Sequence, residues 1–125
     1  MNPSSRARTL LIVEDNKDVR TIFAEVFQGA GYQVLEAGNG EDALALMAST
    51  GAPVDVVLTD LRMPVMDGFE LASRIKADVR FSTIPVVLLS ATPMSNSWQA
   101  LGVFAALLTK PCSFEQLLTT IEAVQ

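Results

Sequence analysis

The chain has 125 residues, half of them apolar and 18% charged, with 14 acidic against 9 basic residues and a formal net charge of -5. That length suits one domain with a well-buried core and leaves no room for a second. The acidic balance gives no field to attract DNA, RNA or an anionic membrane, the absence of histidine excludes His-based triads and argues against a zinc site, and a single cysteine, Cys112, excludes an intrachain disulfide.

Residues 1–8 read as a polar, weakly basic tail, and residues 9–125 as the domain. The apolar run at 10–13 is too short for a signal peptide or a spanning helix, so a cytoplasmic protein is expected, in keeping with a lone thiol. Short apolar runs at 10–13, 33–36, 54–59, 86–90 and 105–109 predict five strands, and their adjacent valines and leucines predict burial on both faces. Between the first two runs, Val19, Ile22, Phe23 and Val26 recur at helical spacing, with Gly29 and Gly31 to end that helix. Ala43, Leu44 and Met47 mark a second helix closing near Gly51, and Leu71 and Ile75, with Phe69 at the start, mark a third. Residues 92–102 predict only a short or frayed fourth helix, because Pro93, two serines and Asn96 lower helix propensity. In the last helix Phe114, Leu117, Leu118 and Ile121 share a face, and Ser113 with Gln116 forms a capping box.

Strict alternation of strands and helices predicts an α/β fold, a doubly wound five-stranded parallel sheet with helices on both faces. Working residues in such folds stand at the carboxyl ends of the strands. Those ends carry Glu14 and Asp15, then Asp60, Ser90 and Lys110. Taken singly, each also fits a helix cap, a turn or a solvated loop. Three carboxylates on one rim repel unless a cation neutralises them, and Mg2+ with oxygen ligands is the natural partner.

Around Asp60 the chain reads Asp60-Leu61-Arg62-Met63-Pro64-Val65-Met66-Asp67-Gly68. This string, with Leu11-Ile12-Val13-Glu14-Asp15-Asn16 and Thr109-Lys110-Pro111, resembles the three signatures of response-regulator receiver domains, a CheY-like superfamily of two-component signalling. The resemblance runs from about Thr9 to the end of the chain. It implies a flavodoxin-like sheet of order 2-1-3-4-5 and a phosphorylation-controlled switch with Asp60 as phosphoacceptor. It further implies Mg2+ held by Asp15, by Glu14 through water, by the Asp60 side chain and by the Arg62 backbone carbonyl. Lys110 would pair with Asp60 and then with a phosphoryl oxygen. Ser90 would donate its hydroxyl, Ala91 would leave space for the anion, and Pro111 would follow a cis peptide.

The partners implied are a histidine kinase or histidine phosphotransfer protein as donor and a downstream protein target. No direct nucleic-acid or membrane contact is expected, a homodimer stays open, and catalysis is confined to the protein's own phosphorylation and slow dephosphorylation. Several positions depart from the family. Leu107 stands where many receivers carry the aromatic that swings inward, so an aromatic rotamer switch is not expected. The stretch from Ser90 to Lys110 is slightly short for the family. Arg62 and Thr92, each two residues beyond Asp60 and Ser90, are candidates for tuning phosphoryl lifetime or simply exposed. Packing is expected of Trp98, and a small apolar role of Cys112.

Two other functions compete with this one. An aspartyl-phosphate phosphatase or phosphotransferase usually ends its first strand in the nucleophile, with a second aspartate two residues on. Here Asp60 ends the third strand and position 62 is Arg62. A constitutive, phosphorylation-independent interaction module would not need the full set of acceptor, acidic pair, serine and lysine. With no output region after the last helix, either a stand-alone regulator or a segment of a larger protein is expected, and the start at Met1 mildly favours the first.

Overall fold

The computed structural model describes residues 7–50, 53–91 and 102–125. Five strands, β1 (Thr9–Val13), β2 (Gln33–Ala37), β3 (Val56–Asp60), β4 (Val86–Ser90) and β5 (Ala106–Thr109), pair in parallel in the order β2-β1-β3-β4-β5. The described residues also hold four helices: α1 (Lys17–Gly29), α2 (Gly40–Ser49), α3 (Gly68–Ala77) and α4 (Phe114–Ala123). This is the doubly wound sheet expected, in the 2-1-3-4-5 order. The weak helix expected over 92–102 falls, except for Gly102, outside the described residues, as does Gly51.

Strand periodicity divides the core cleanly. Leu11, Val13, Val57, Val86 and Leu88 point to one face, where Ala43 and Met47 of α2 and Leu71, Ala72 and Ile75 of α3 meet them. Leu10, Ile12, Val56, Leu58, Val87 and Leu89 point to the other, against Ala24 and Phe27 of α1 and Leu117 and Ile121 of α4. Side chains alternate along a strand, so a run that is apolar at every position must be covered twice. Burying each leucine contributes about 2 kcal/mol before entropy is counted, which explains the valine-leucine runs.

Each helix starts on a polar cap whose oxygen accepts an orphan N–H. Asn16 accepts from Val19 (3.0 Å), Asn39 from Asp42 (2.8 Å), Asp67 from Glu70 (2.8 Å) and Ser113 from Gln116 (3.0 Å). After α1 the chain turns at Gly31, whose φ of 98° is open to glycine at little cost.

Two expectations shift. The apolar stripe of α1 was expected through Val19, Ile22, Phe23 and Val26, yet Ile22 is 49% exposed and the buried residues are Ala24 and Phe27. Small Ala24 lets the helix approach the sheet, and Phe27 then fills the space beneath, edge-on to Tyr32 at 5.6 Å between centroids. The third strand was expected from residue 54 but begins at Val56. Ahead of it, the Asp55 carboxylate accepts the Thr9 N–H at 2.7 Å, tying the segment to the start of β1.

Candidate functional site

Because all strands run the same way, their carboxyl ends share one rim. Glu14 and Asp15 leave β1, Asp60 closes β3, Ser90 closes β4 and Lys110 follows β5. The register sets Val13 beside Thr59, Asp60 beside Leu89 and Ser90 beside Thr109. One carboxylate oxygen each from Glu14, Asp15 and Asp60 lies within 4.8 Å of the others. The Lys110 ammonium stands 3.2 Å from Asp60 Oδ2 and 3.6 Å from Glu14 Oε1.

Depth differs across the cluster. Glu14 is 5% exposed, Asp60 is half-buried and Asp15 is exposed. Burial, above all, raises the Glu14 carboxyl above its ordinary value. The Asn16 N–H on Glu14 Oε2 (3.1 Å) opposes that rise, Asp15 and Asp60 add to it, and Lys110 works against it. A cavity of about 10 Å³ adjoins the cluster, lined in part by Phe23, Thr59, Asp60 and Lys110. It has room for about one water.

The loop after β3 is held closely. The Leu61 N–H donates to Asp60 Oδ1 at 2.7 Å, which leaves Oδ2 toward Lys110. The Thr59 hydroxyl, itself fully buried, donates to the Asp60 carbonyl at 2.8 Å. Gly68 N–H donates to the Leu61 carbonyl at 2.7 Å, and a Cβ at position 68 would collide with the Asp60 carbonyl oxygen. Between them Met66 N–H donates to the Pro64 carbonyl at 2.8 Å around Val65, whose φ is 73°. That is a γ-turn centred on a β-branched residue. Met66 then packs so tightly over Gly40 that a Cβ there would approach its sulfur to 2.8 Å.

Among the other residues named from the sequence, Ser90 is buried and its carbonyl accepts the Lys110 N–H at 2.8 Å. Ala91, Arg62 and Pro111 are exposed, and the Lys110–Pro111 peptide is cis, as expected. Leu107 is half-buried against the α2/α3 side of the sheet. Cys112 is half-buried against the α1/α4 side, and burial pushes its thiol up. Thr92 and Trp98 lie outside the described residues.

Sequence reasoning missed Arg20 and Thr59. From the fourth residue of α1, Arg20 Nη1 donates to the Glu14 carbonyl at 2.8 Å while its Nε meets Glu36 Oε1 at 3.3 Å. Its only sequence signal is an arginine six residues beyond Glu14, which a solvated helix face would also show.

Comparison with known proteins agrees with the fold. Residues 10–122 match the family model described as the response regulator receiver domain. The phosphate regulon transcriptional regulatory protein PhoB of Pseudomonas aeruginosa is 36% identical over 119 residues, 94% of this chain and 51% of PhoB. Protein PilH of the same organism is 36% identical over 117 residues, covering 92% of this chain and 95% of PilH. The chain thus spans about half of PhoB, and only 8% of the sensor histidine kinase TmoS of Ectopseudomonas mendocina, to which it is 44% identical over 84 residues. Among solved structures, chemotaxis protein CheY4 of Vibrio cholerae superposes with a TM-score of 0.87 at 30% identity, covering 96% of this chain and all of that one. Response regulator TrrA of Thermotoga maritima, in complex with Mg(2+)-BeF, gives 0.83 at 26% identity over 94% of this chain and 99% of TrrA. None of the described helices is long and apolar enough to cross a membrane. The chain therefore belongs to the response regulator receiver domain family of two-component signalling.

Proposed function

We propose that this chain is a phosphorylation-controlled switch whose phosphoacceptor is Asp60. The observation that carries the reading is the Lys110 ammonium between Asp60 and Glu14, beside three carboxylates within 4.8 Å. A half-buried carboxylate with a cation on one oxygen and an N–H on the other is a positioned nucleophile. An Asp60 oxygen attacks the phosphorus of a phosphohistidine on a histidine kinase or phosphotransfer protein. The new P–O bond forms as the P–N bond breaks, and its electron pair stays on the donor imidazole. The similarity to a segment of TmoS supports such a donor.

The donor set fits a hard divalent cation. Asp15 and Asp60 would hold Mg2+ directly, with Glu14 through water and the Arg62 carbonyl completing the set. The Mg2+ complex of TrrA supports this assignment. Bound there, Mg2+ offsets the charge of the carboxylates and of the incoming phosphoryl oxygens. Lys110 pairs with a phosphoryl oxygen, and Ser90 donates its hydroxyl to another next to the small Ala91. The lone thiol and the Mg2+ requirement suit the cytoplasm. Downstream, a protein target reads the phosphorylated form.

The test is incubation with Mg2+ and acetyl phosphate or a phosphorylated histidine donor, followed by intact mass. Wild type is expected to gain one phosphoryl group and Asp60→Asn none. Failure with both donors would overturn the reading.

A further inference from the structure

Glu14 and Asp15 lie in a short loop between a rigid strand and a helix, and carboxylate sites lose metal affinity when their supports loosen. The Glu14 backbone is gripped twice. Its N–H donates to the Ala37 carbonyl at the end of β2 (3.0 Å), and its carbonyl accepts Arg20 Nη1 (2.8 Å). Arg20 is in turn held by Glu36 of β2 at 3.3 Å, its side chain only 18% exposed. Beside it, Gly38 leaves the guanidinium 3.5 Å from where a Cβ would stand. Arg20 N–H also donates to the Asn16 carbonyl (2.9 Å), so main chain and side chain of one residue brace both sides of Asp15.

We propose that Arg20 is a positioning residue for the cation site, acting through the Glu14 carbonyl and anchored by Glu36. The inference rests on the Mg2+ reading above. A planar fork with fixed donors can grip a carbonyl and a carboxylate together, and a lysine cannot reproduce that geometry.

Charge and positioning predict opposite signs. As a nearby cation alone, Arg20 would repel Mg2+; Arg20→Gln would then tighten binding and Arg20→Lys would leave it unchanged. As a brace, both substitutions weaken binding, by roughly tenfold as for other outer-shell supports. The experiment is calorimetric titration of Mg2+ into wild type, Arg20→Lys and Arg20→Gln, each first shown folded by circular dichroism. Weaker binding in both variants supports the proposal. Binding unchanged in Arg20→Lys, or tightened in Arg20→Gln, overturns it. If wild type itself binds no Mg2+, the metal reading falls and the inference with it.

Discussion

Gly68 lies directly against Asp60: a side chain at position 68 would run into the Asp60 carbonyl oxygen. The same carbonyl accepts the Thr59 hydroxyl, and Gly68 N–H is spent on Leu61, so this backbone has little freedom to retreat. Gly68→Ala should therefore cost about 2 kcal/mol, the usual scale for overpacking against backbone. It should also displace Asp60. Urea unfolding is expected to show a lower midpoint with an unchanged slope, and phosphoryl uptake from acetyl phosphate should fall in step. Wild-type stability in the variant would mean the loop shifts freely.

Val65 presents the reverse case. It is a β-branched residue at a φ of 73°, 71% exposed, so strain is present with little burial to offset it. Asparagine is several-fold enriched over other side chains at positive φ. Val65→Asn is expected to stabilise the protein by about 1 kcal/mol, read as a rise in Tm of about 4 °C. A fall in Tm would show that the valine side chain contributes packing that its exposure conceals.

Gly68 was legible as a structural residue opening the third helix, and α3 begins there; Val65 marks where sequence reading ran out. Strand ends were legible because apolar runs buried on both faces stop abruptly at polar residues, and Asp60 and Lys110 follow such stops. Helix starts were legible at Ser113, where a capping oxygen and its N–H are three residues apart. The face of α1 was harder: Ile22 fits the helical period as well as Ala24 does, and only packing against the sheet selects the smaller residue. Arg20 gave no distinctive signal because its contacts are with a carbonyl and a strand that is its neighbour only after folding. Val65 gave none because nothing in a valine announces a positive φ.

Glu14 makes stability depend on pH in the metal-free protein. Its folded carboxyl is raised above the ordinary 4.5, chiefly by burial, so the folded state holds its proton more tightly than the unfolded state does. The resulting penalty is absent below pH 4.5, grows as pH rises through the raised folded value, and is complete above it. In EDTA, Glu14→Gln should therefore be more stable than wild type at pH 7, with the gap closing as the pH falls toward 4.5. Thermal unfolding of the pair across that range checks it, and a gap that widens on acidification would contradict the sign.

Lys110 spans Asp60 and Glu14 at 3.2 and 3.6 Å, so it neutralises the same carboxylates that would hold Mg2+. Its removal has two consequences of opposite direction. Without the ammonium, the carboxylates repel more strongly and attract a divalent cation more, so Lys110→Gln should bind Mg2+ at least as tightly as wild type. Yet the charge developing on the transferring phosphoryl oxygens loses a fixed partner, which for one such donor slows a reaction roughly a hundredfold. The variant is thus expected to bind Mg2+ normally or better while taking up phosphate far more slowly, seen in calorimetry and in intact mass over time. Equal slowing at saturating Mg2+ separates loss of the ammonium from loss of the metal. An uptake rate matching wild type would mean that Lys110 only balances the charge of the resting site and takes no part in transfer.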